Sequence, residues 1–264
     1  LNNRSVYFGL IWWMYRNMGA VDLNKRNLRS IRFWRAVLLN IFVTGTMPVM
    51  LLLATLSFER PMDNLMNLTL SITSVATAIK FLIYVKQLMK IVEIEQLLAE
   101  LDAREETEAQ GIYREEMTGM LRIISTLFKI TFAMIILVMT CFRFFFDKER
   151  SLPFPAWFPL DWTNSLTNYS IAVLYQVVGI SIHVMQNFVD DLFPVLIFCI
   201  IAGQCQLLVI RVSSIGYDQS DQRTNERKLI ECIQDHQKLF RLHQLTMDVV
   251  SWTLLVEFVV IAID

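Results

Sequence analysis

The chain has 264 residues, 55% of them apolar, with 24 basic and 25 acidic side chains and a formal net charge of −1. Those charges are crowded into a few segments separated by long uncharged runs, which excludes an ordinary soluble surface and describes membrane spans joined by loops. The four cysteines, Cys141, Cys199, Cys205 and Cys232, form no CxxC pair and no metal-ligand spacing, so they read as buried or cytosolic thiols, and nothing calls for a metal, a cofactor or a nucleic-acid partner.

The first apolar stretch, Val6 to Tyr15, is too short to cross a bilayer and runs into Arg16 and a basic segment without a small-residue cleavage site, so it is not a cleavable signal peptide. A spanning helix takes about 20 mostly apolar residues. Candidates follow at Ala36 to Ser57, Leu65 to Val85, Ile123 to Phe146 and Ser170 to Ile210, and a fifth starts near Met247. Lysines and arginines set the orientation. They concentrate before Ala36 (Arg16, Lys25, Arg29, Arg32 and Arg35 among them), after Lys86 and after Ile210, whereas the alternate loops hold only Arg60, Lys148 and Arg150. The N-terminus is therefore placed in the cytosol and the Phe58 to Asn64 and Asp147 to Thr167 loops outside.

The fourth span is long: about 40 helical residues reach about 60 Å against a hydrocarbon core of about 30 Å. Asp190 and Asp191 are a candidate turn, yet no Gly or Asn accompanies them and a hairpin would put the arginine-rich loop outside, so one long helix is expected. Leu88, Ile91, Val92, Leu98 and Leu101 recur at helical spacing, as do Leu229, Ile233, Phe240 and Leu245, so helices two and five are expected to extend into the cytosol, with breaks at Gly111 and Ser213 to Thr224. Trp12, Trp13, Tyr15 and Trp34 on the inner side, and Trp157, Phe158 and Trp162 on the outer side, read as headgroup-level anchors. The resulting organisation is a cytosolic segment over 1–35, four membrane helices with loops over 36–210, and a cytosolic helical extension with the start of helix five over 211–264. Leu1 is not a methionine and Asp264 lies in an apolar run, so the chain is expected to be a fragment.

Charges inside the spans are costly and mark positions to explain: Lys80, Lys129, Arg143, His183, Asp190, Asp191 and Glu257. Lys80, Lys129 and Arg143 lie near span ends and are expected to snorkel. His183 and Asp190 are seven residues apart, nearly on one helix face, and two readings stay open: a polar lining of a cavity or pore, and a satisfied contact between helices. No GxSxG, HExxH, P-loop or GxGxxG supplies a nucleophile, metal or phosphate site, so no catalytic residue is assigned. Sequons at Asn67 and Asn168 fall near the outer faces and are candidate glycosylation sites; a third, at Asn3, falls in the inner segment and should be unused. Ser71, Thr73, Ser74 and Thr77 in span two, Met139 and Thr140 in span three, and Tyr175, Gly179 and His183 in span four are a small, hydroxylated mixture. It suits close helix packing and equally a small, mostly apolar pocket with a few hydrogen-bonding groups.

The outer loop reads Leu152-Pro153-Phe154-Pro155-Ala156-Trp157-Phe158-Pro159-Leu160-Asp161-Trp162, and the fourth helix continues Tyr175-Gln176-Val177-Val178-Gly179. Then come Asp191 before Phe193-Pro194, Gly203-Gln204 ahead of Leu207-Leu208, Arg211 with Ser214-Ile215-Gly216, and Ile233-Gln234-Asp235-His236 leading to Leu239. This succession resembles the insect odorant receptor family over essentially the whole chain. The resemblance implies an all-α polytopic membrane protein of inverted seven-helix topology, its N-terminus cytosolic, cut here in helix five. It implies a tuning subunit that assembles with a co-receptor subunit into a hetero-tetrameric, odorant-gated, nonselective cation channel in the plasma membrane of olfactory sensory neurons. The implied ligand is a small volatile organic molecule held in the outer half of the bundle, and the intersubunit anchor is implied in the cytosolic helix extensions. On shared helical faces the expected pocket residues are Ser74, Ala78 and Phe81, Ile136 and Thr140, and Tyr175, Gly179 and His183. A chain ending at Asp264 is expected neither to conduct nor to bind odorant well. A gustatory-type channel is the nearest rival; a secondary transporter would show inverted repeats and paired helix breaks, and Pro48 and Pro194 do not occupy corresponding positions.

Overall fold

The computed structural model describes residues 7–25, 27–55, 61–104, 107–146, 152–154, 156–216 and 222–263, with backbone alone at 61–66 and 139–146. All regular structure among them is helical: α1 (Gly9–Asn17), α2 (Ala20–Lys25), α3 (Ile31–Asn40), a π-helical turn (Ile41–Gly45), α4 (Thr46–Thr55), α5 (Pro61–Asp102), α6 (Glu108–Phe146), α7 (Leu166–Ser214) and α8 (Gln222–Ile263). Five stretches are long and apolar enough to cross a membrane: Ile31–Thr55, Asn67–Asp102, Glu108–Val138, Leu166–Ser214 and Gln222–Ile263. The first begins at Ile31, where Ser30 accepts from the Arg32 amide as N-cap, so Arg32 and Arg35 ride on the spanning helix itself. Helices two and five do continue past their spans, α5 to Asp102 and α8 from Gln222.

The fourth span is one helix of 49 residues with Pro194 inside it. Proline has no N–H, which deprives the carbonyl of Asp190 of its helical donor. The Tyr84 hydroxyl supplies one instead, donating to Asp190 O at 3.3 Å. The Asp190-Asp191 step is thus carried through without a turn.

The chain divides into two compact units, one of Leu1–Gly9, Gln87–Leu127 and Asp191–Ser251, the other of Leu10–Lys86, Phe128–Asp190 and Trp252–Asp264. In the first, Leu88, Ile91, Leu98 and Leu101 of α5 are buried, and Arg104 and Arg211 both grip the Asp235 carboxylate, which is 1% exposed. Arg114 pairs with Asp102, Lys90 with Asp248, Lys238 with Glu100 and Arg241 with Glu93. Two expectations are corrected here. Gly111 does not break the chain: it lies in the first turns of α6, and the interruption falls between Asp102 and Glu108. The buried face of α8 is Cys232, Asp235, Leu239, Leu242 and Leu245, while Leu229, Ile233 and Phe240 are about half exposed or more. The inward face is turned by roughly one residue because Asp235 must point at its two arginines, a demand that an apolar-stripe reading does not see.

In the second unit α1 buries Ile11 and Tyr15 completely. A helix of nine residues is marginal alone, and these two side chains supply about 1.5–3 kcal/mol each on burial. Tyr15 is therefore core, its ring 6.3 Å from that of Tyr84, and not the headgroup anchor expected of it; Trp13 and Trp34 remain 57% and 52% exposed. The outer loop is tied to α7 by Gln176, whose amide accepts from Phe154 N (2.9 Å) and donates to Phe154 O (2.8 Å). Trp157 N donates to Met50 O, and Phe154, Ala156 and Phe158 pack with Met47 and Leu51.

Just before α7 the Asp161 carboxylate accepts from Thr163 and Asn164, whose hydrogen bonds hold its pKa down to about 2 from 3.8. A depressed carboxyl stabilises the turn fully above its ordinary pKa and loses that contribution as pH falls through the folded value. The difference in amide protection at Thr163 and Asn164 between the protein and Asp161→Asn, followed by hydrogen exchange, is expected to close between pH 3.8 and about 2. A difference that persisted below that window would remove the carboxylate from the account.

Candidate functional site

In the middle of the first span the π turn Ile41–Gly45 widens the helix and frees main-chain groups from the regular ladder. α7 meets two of the turn's carbonyls and one of its side chains. Tyr175 Oη donates to Phe42 O at 2.6 Å and meets the Thr46 hydroxyl, which donates to the same carbonyl. His183 Nε2 lies 3.4 Å from Val43 O, and Gln186 Nε2 donates to Thr44 Oγ1 at 2.8 Å. Gly179 sits between, where a Cβ would stand 3.5 Å from Met47 Sδ. Three of the expected pocket residues, Tyr175, Gly179 and His183, are thus brought together against the first span.

The α5 residues are arranged differently. Ser74 and Phe81 are buried and Ala78 is half-buried, but beside them it is Thr77 and Lys80 that reach α7, both at Asn187 Oδ1, at 3.4 and 2.9 Å. Ile136 on α6 is half-buried, and the Thr140 side chain lies outside the described residues. Among the described residues Ser74 Oγ and His183 Nδ1 are two of several buried side-chain atoms without a hydrogen-bond partner, Gln186 Oε1 and Thr246 Oγ1 being others. Phe128 and Phe132 meet Phe188 edge to face, with ring centroids 6.3 and 5.1 Å apart, and fix the start of the α6 apolar run against α7. Beyond that contact Met134, Leu137 and Val138 are each more than half exposed.

Lys80 overturns the snorkelling expectation. It is 3% exposed, and its ammonium pairs with Glu257 of α8 at 2.7 Å as well as with Asn187. An ion pair buried among apolar helices is tolerable only with its counter-charge and further acceptors in place, which is the arrangement here. Thr253, one turn before Glu257, donates to the Tyr84 hydroxyl at 3.3 Å. A continuous polar seam therefore joins α5, α7 and α8. Lys129 is exposed, and the Arg143 side chain lies outside the described residues.

The sequons also differ in their surroundings. Asn67 is 1% exposed, and its amide donates to Leu51 O (2.9 Å) and Thr55 Oγ1 (2.7 Å). Asn168 is half-buried in the first turn of α7 and donates to Asp161 O at 3.0 Å; Asn3 lies outside the described residues. Cys199, Cys205 and Cys232 are free thiols, and the Cys141 side chain is not among those described. Among the described residues no three His, Cys, Asp or Glu side chains are grouped to hold a metal ion.

Long apolar helices with a polar seam between them, a π-widened first span and a loop strapped to the outer end of the fourth define a polytopic α-helical membrane protein. The same fold is found in the insect olfactory receptor OR5 from Machilis hrabei, alone (TM-score 0.73, 14% identity) and in complex with eugenol (TM-score 0.73, 16% identity), each match covering 96% of this chain and 69% of that one. The family described as 7tm Odorant receptor matches residues 60–264. Odorant receptor 23a of Drosophila melanogaster is 40% identical over 98% of this chain and 66% of its own length, and odorant receptor 59a of the same species is 32% identical over 88% and 58%. The chain belongs to the insect odorant receptor family, and it spans between 58% and 66% of the length of these curated relatives.

Proposed function

We propose that the chain is the larger part of an odorant-tuning subunit which, with a co-receptor subunit, forms an odorant-gated nonselective cation channel in the plasma membrane of olfactory sensory neurons, and that it acts without enzymatic chemistry. Family membership supports the odorant, and the observation that carries the reading is the hydrogen-bonding capacity left over on Ser74 Oγ and on His183 Nδ1, each buried among the helices. A small, mostly apolar molecule with one polar group would satisfy such a site at little desolvation cost. The eugenol complex of the Machilis hrabei receptor supports that ligand class.

In this reading Ser74, Ala78 and Phe81 of α5, Ile136 and Thr140 of α6, and His183 of α7 contribute the pocket, while Tyr175 and Gly179 hold α7 on the first span and set its depth. A ligand that prefers the open arrangement shifts the equilibrium toward it by that difference in affinity. Of the two outer sequons, Asn168 is the better acceptor, since a glycan on Asn67 would displace an amide hydrogen bonded inside the bundle.

The test is whole-cell current from the complete receptor expressed with a co-receptor, against a volatile panel. For odorants bearing a hydroxyl or carbonyl, Ser74→Ala is expected to raise the half-maximal concentration about five-fold, one hydrogen bond being worth about 1 kcal/mol, with purely hydrocarbon odorants unaffected. Absence of any odorant-evoked current that depends on this subunit would sink the proposal.

A further inference from the structure

The basic side chains of this protein fall into two populations. In the first of the two units Arg104, Arg114, Arg211, Arg241, Lys90 and Lys238 each meet a carboxylate. At the start of the first span the situation reverses. Arg16, Lys25, Arg29, Arg32 and Arg35 are all exposed, and among the described residues none of their side chains makes an ion pair. Asp22 is the one acidic residue between residues 7 and 55.

These cations are ordered. Arg32 and Arg35 lie three residues apart on α3, so they share one side of the helix, and Arg29 precedes them in the turn that leads into its cap. Ile31, Trp34 and Leu38 follow one another at helical spacing along α3, with Leu28 in the preceding turn, and they are 85%, 52%, 53% and 65% exposed. This segment is held in place: Ser30 caps α3, Asn27 Oδ1 accepts from Arg29 N, and Trp34 Nε1 donates to Leu28 O at 2.9 Å. The charge distribution puts this first turn at the inner membrane face. A surface that exposes apolar and cationic side chains together matches a lipid at the headgroup boundary, acyl chain against Leu28, Ile31 and Trp34, phosphate against the guanidinium forks.

We propose that this face is a binding surface for acidic phospholipids of the inner leaflet, which seat the first span through Arg29, Arg32 and Arg35. Neutral headgroups leave three unpaired guanidinium groups beside an exposed tryptophan; anionic ones neutralise them. The retained lipid would steady the helix whose π turn holds Tyr175 and His183, but binding itself does not depend on any odorant.

The complete receptor, reconstituted in nanodiscs of phosphatidylcholine with or without phosphatidylserine or phosphatidylinositol bisphosphate, is extracted gently and its retained lipids are counted by native mass spectrometry. Retention of the acidic lipids over phosphatidylcholine is expected. At about five-fold per cation, R29Q/R32Q/R35Q is expected to weaken that retention about a hundred-fold. R29K/R32K/R35K keeps most of it, which separates lost charge from lost folding. Soluble inositol polyphosphate is expected to compete poorly, since it has no acyl chain for the apolar stripe. Equal retention by the triple glutamine variant overturns the proposal, and so does displacement of the lipid by the soluble polyanion or by an acidic peptide at similar concentration.

Discussion

Glu257→Ala is expected to destabilise the detergent-solubilised protein by roughly 3 kcal/mol, a loss out of proportion to the partial exposure of the glutamate, because the damage is done at Lys80. The Lys80 side chain is 4% exposed and that of Glu257 41%. Removing the carboxylate takes a counter-charge at 2.7 Å away from an ammonium buried between α5 and α7, and the neutral amide of Asn187, 2.9 Å away, does not make up for it. The mirror substitution, Lys80→Met, is expected to cost less, since Glu257 can turn its carboxylate toward the side already open. Replacing both, as Lys80→Met with Glu257→Leu, removes two desolvation penalties together with the attraction and is expected to return stability to within about 1 kcal/mol of the original. Thermal unfolding of the four proteins by size-exclusion fluorescence decides the matter. If Glu257→Ala unfolds with the unaltered protein, or if the double replacement is the worst of the set, the pair is not holding these helices together.

That seam shows where sequence reading stops. Lys80 and Glu257 are 177 positions apart, and a hydropathy pattern registers each only as a costly residue. Nothing in the pattern gives the rotation of α5, so the nearby span end made snorkelling the natural reading. The same blindness to rotation explains α8, where the apolar stripe through Leu229, Ile233 and Phe240 proved exposed and a carboxylate, Asp235, proved buried between arginines from two other segments. What was legible was one-dimensional: span number, the single long fourth helix, the extension of α5 and the loop between α7 and α8 all follow from length, apolarity and turn residues. The single-helix reading survived Pro194 because Tyr84 supplies the missing donor, a compensation visible only in three dimensions. Tyr175, Gly179 and His183 share one face of α7, yet what that face meets is the π turn, and a π turn has no sequence signature comparable to a cap or a proline.

The short N-terminal helices give the sharpest test of whether backbone geometry or packing limits substitution. Gly19 has φ +79°, and a Cβ there would fall 2.5 Å from Ala36 Cβ and 3.0 Å from Ala36 Cα. Two separate costs follow for Gly19→Ala: about 1–2 kcal/mol for an L side chain in left-handed backbone, and a further 1–3 kcal/mol because the obstructing atoms belong to a helix and cannot swing aside. The expected total is about 3 kcal/mol. Gly216 isolates the first cost, since it has φ +88° but open space around its missing Cβ. Gly9 isolates neither, with no left-handed φ and nothing within 4 Å, and as a helical residue it should accept alanine with a small gain. The expected order of thermal stability is therefore Gly9→Ala at or above the unaltered protein, Gly216→Ala lower by the strain alone, and Gly19→Ala lowest. If Gly19→Ala matched Gly216→Ala, the contact with Ala36 would carry no energy, and the approach of α2 to α3 would be set by the turn and not by the absence of a side chain.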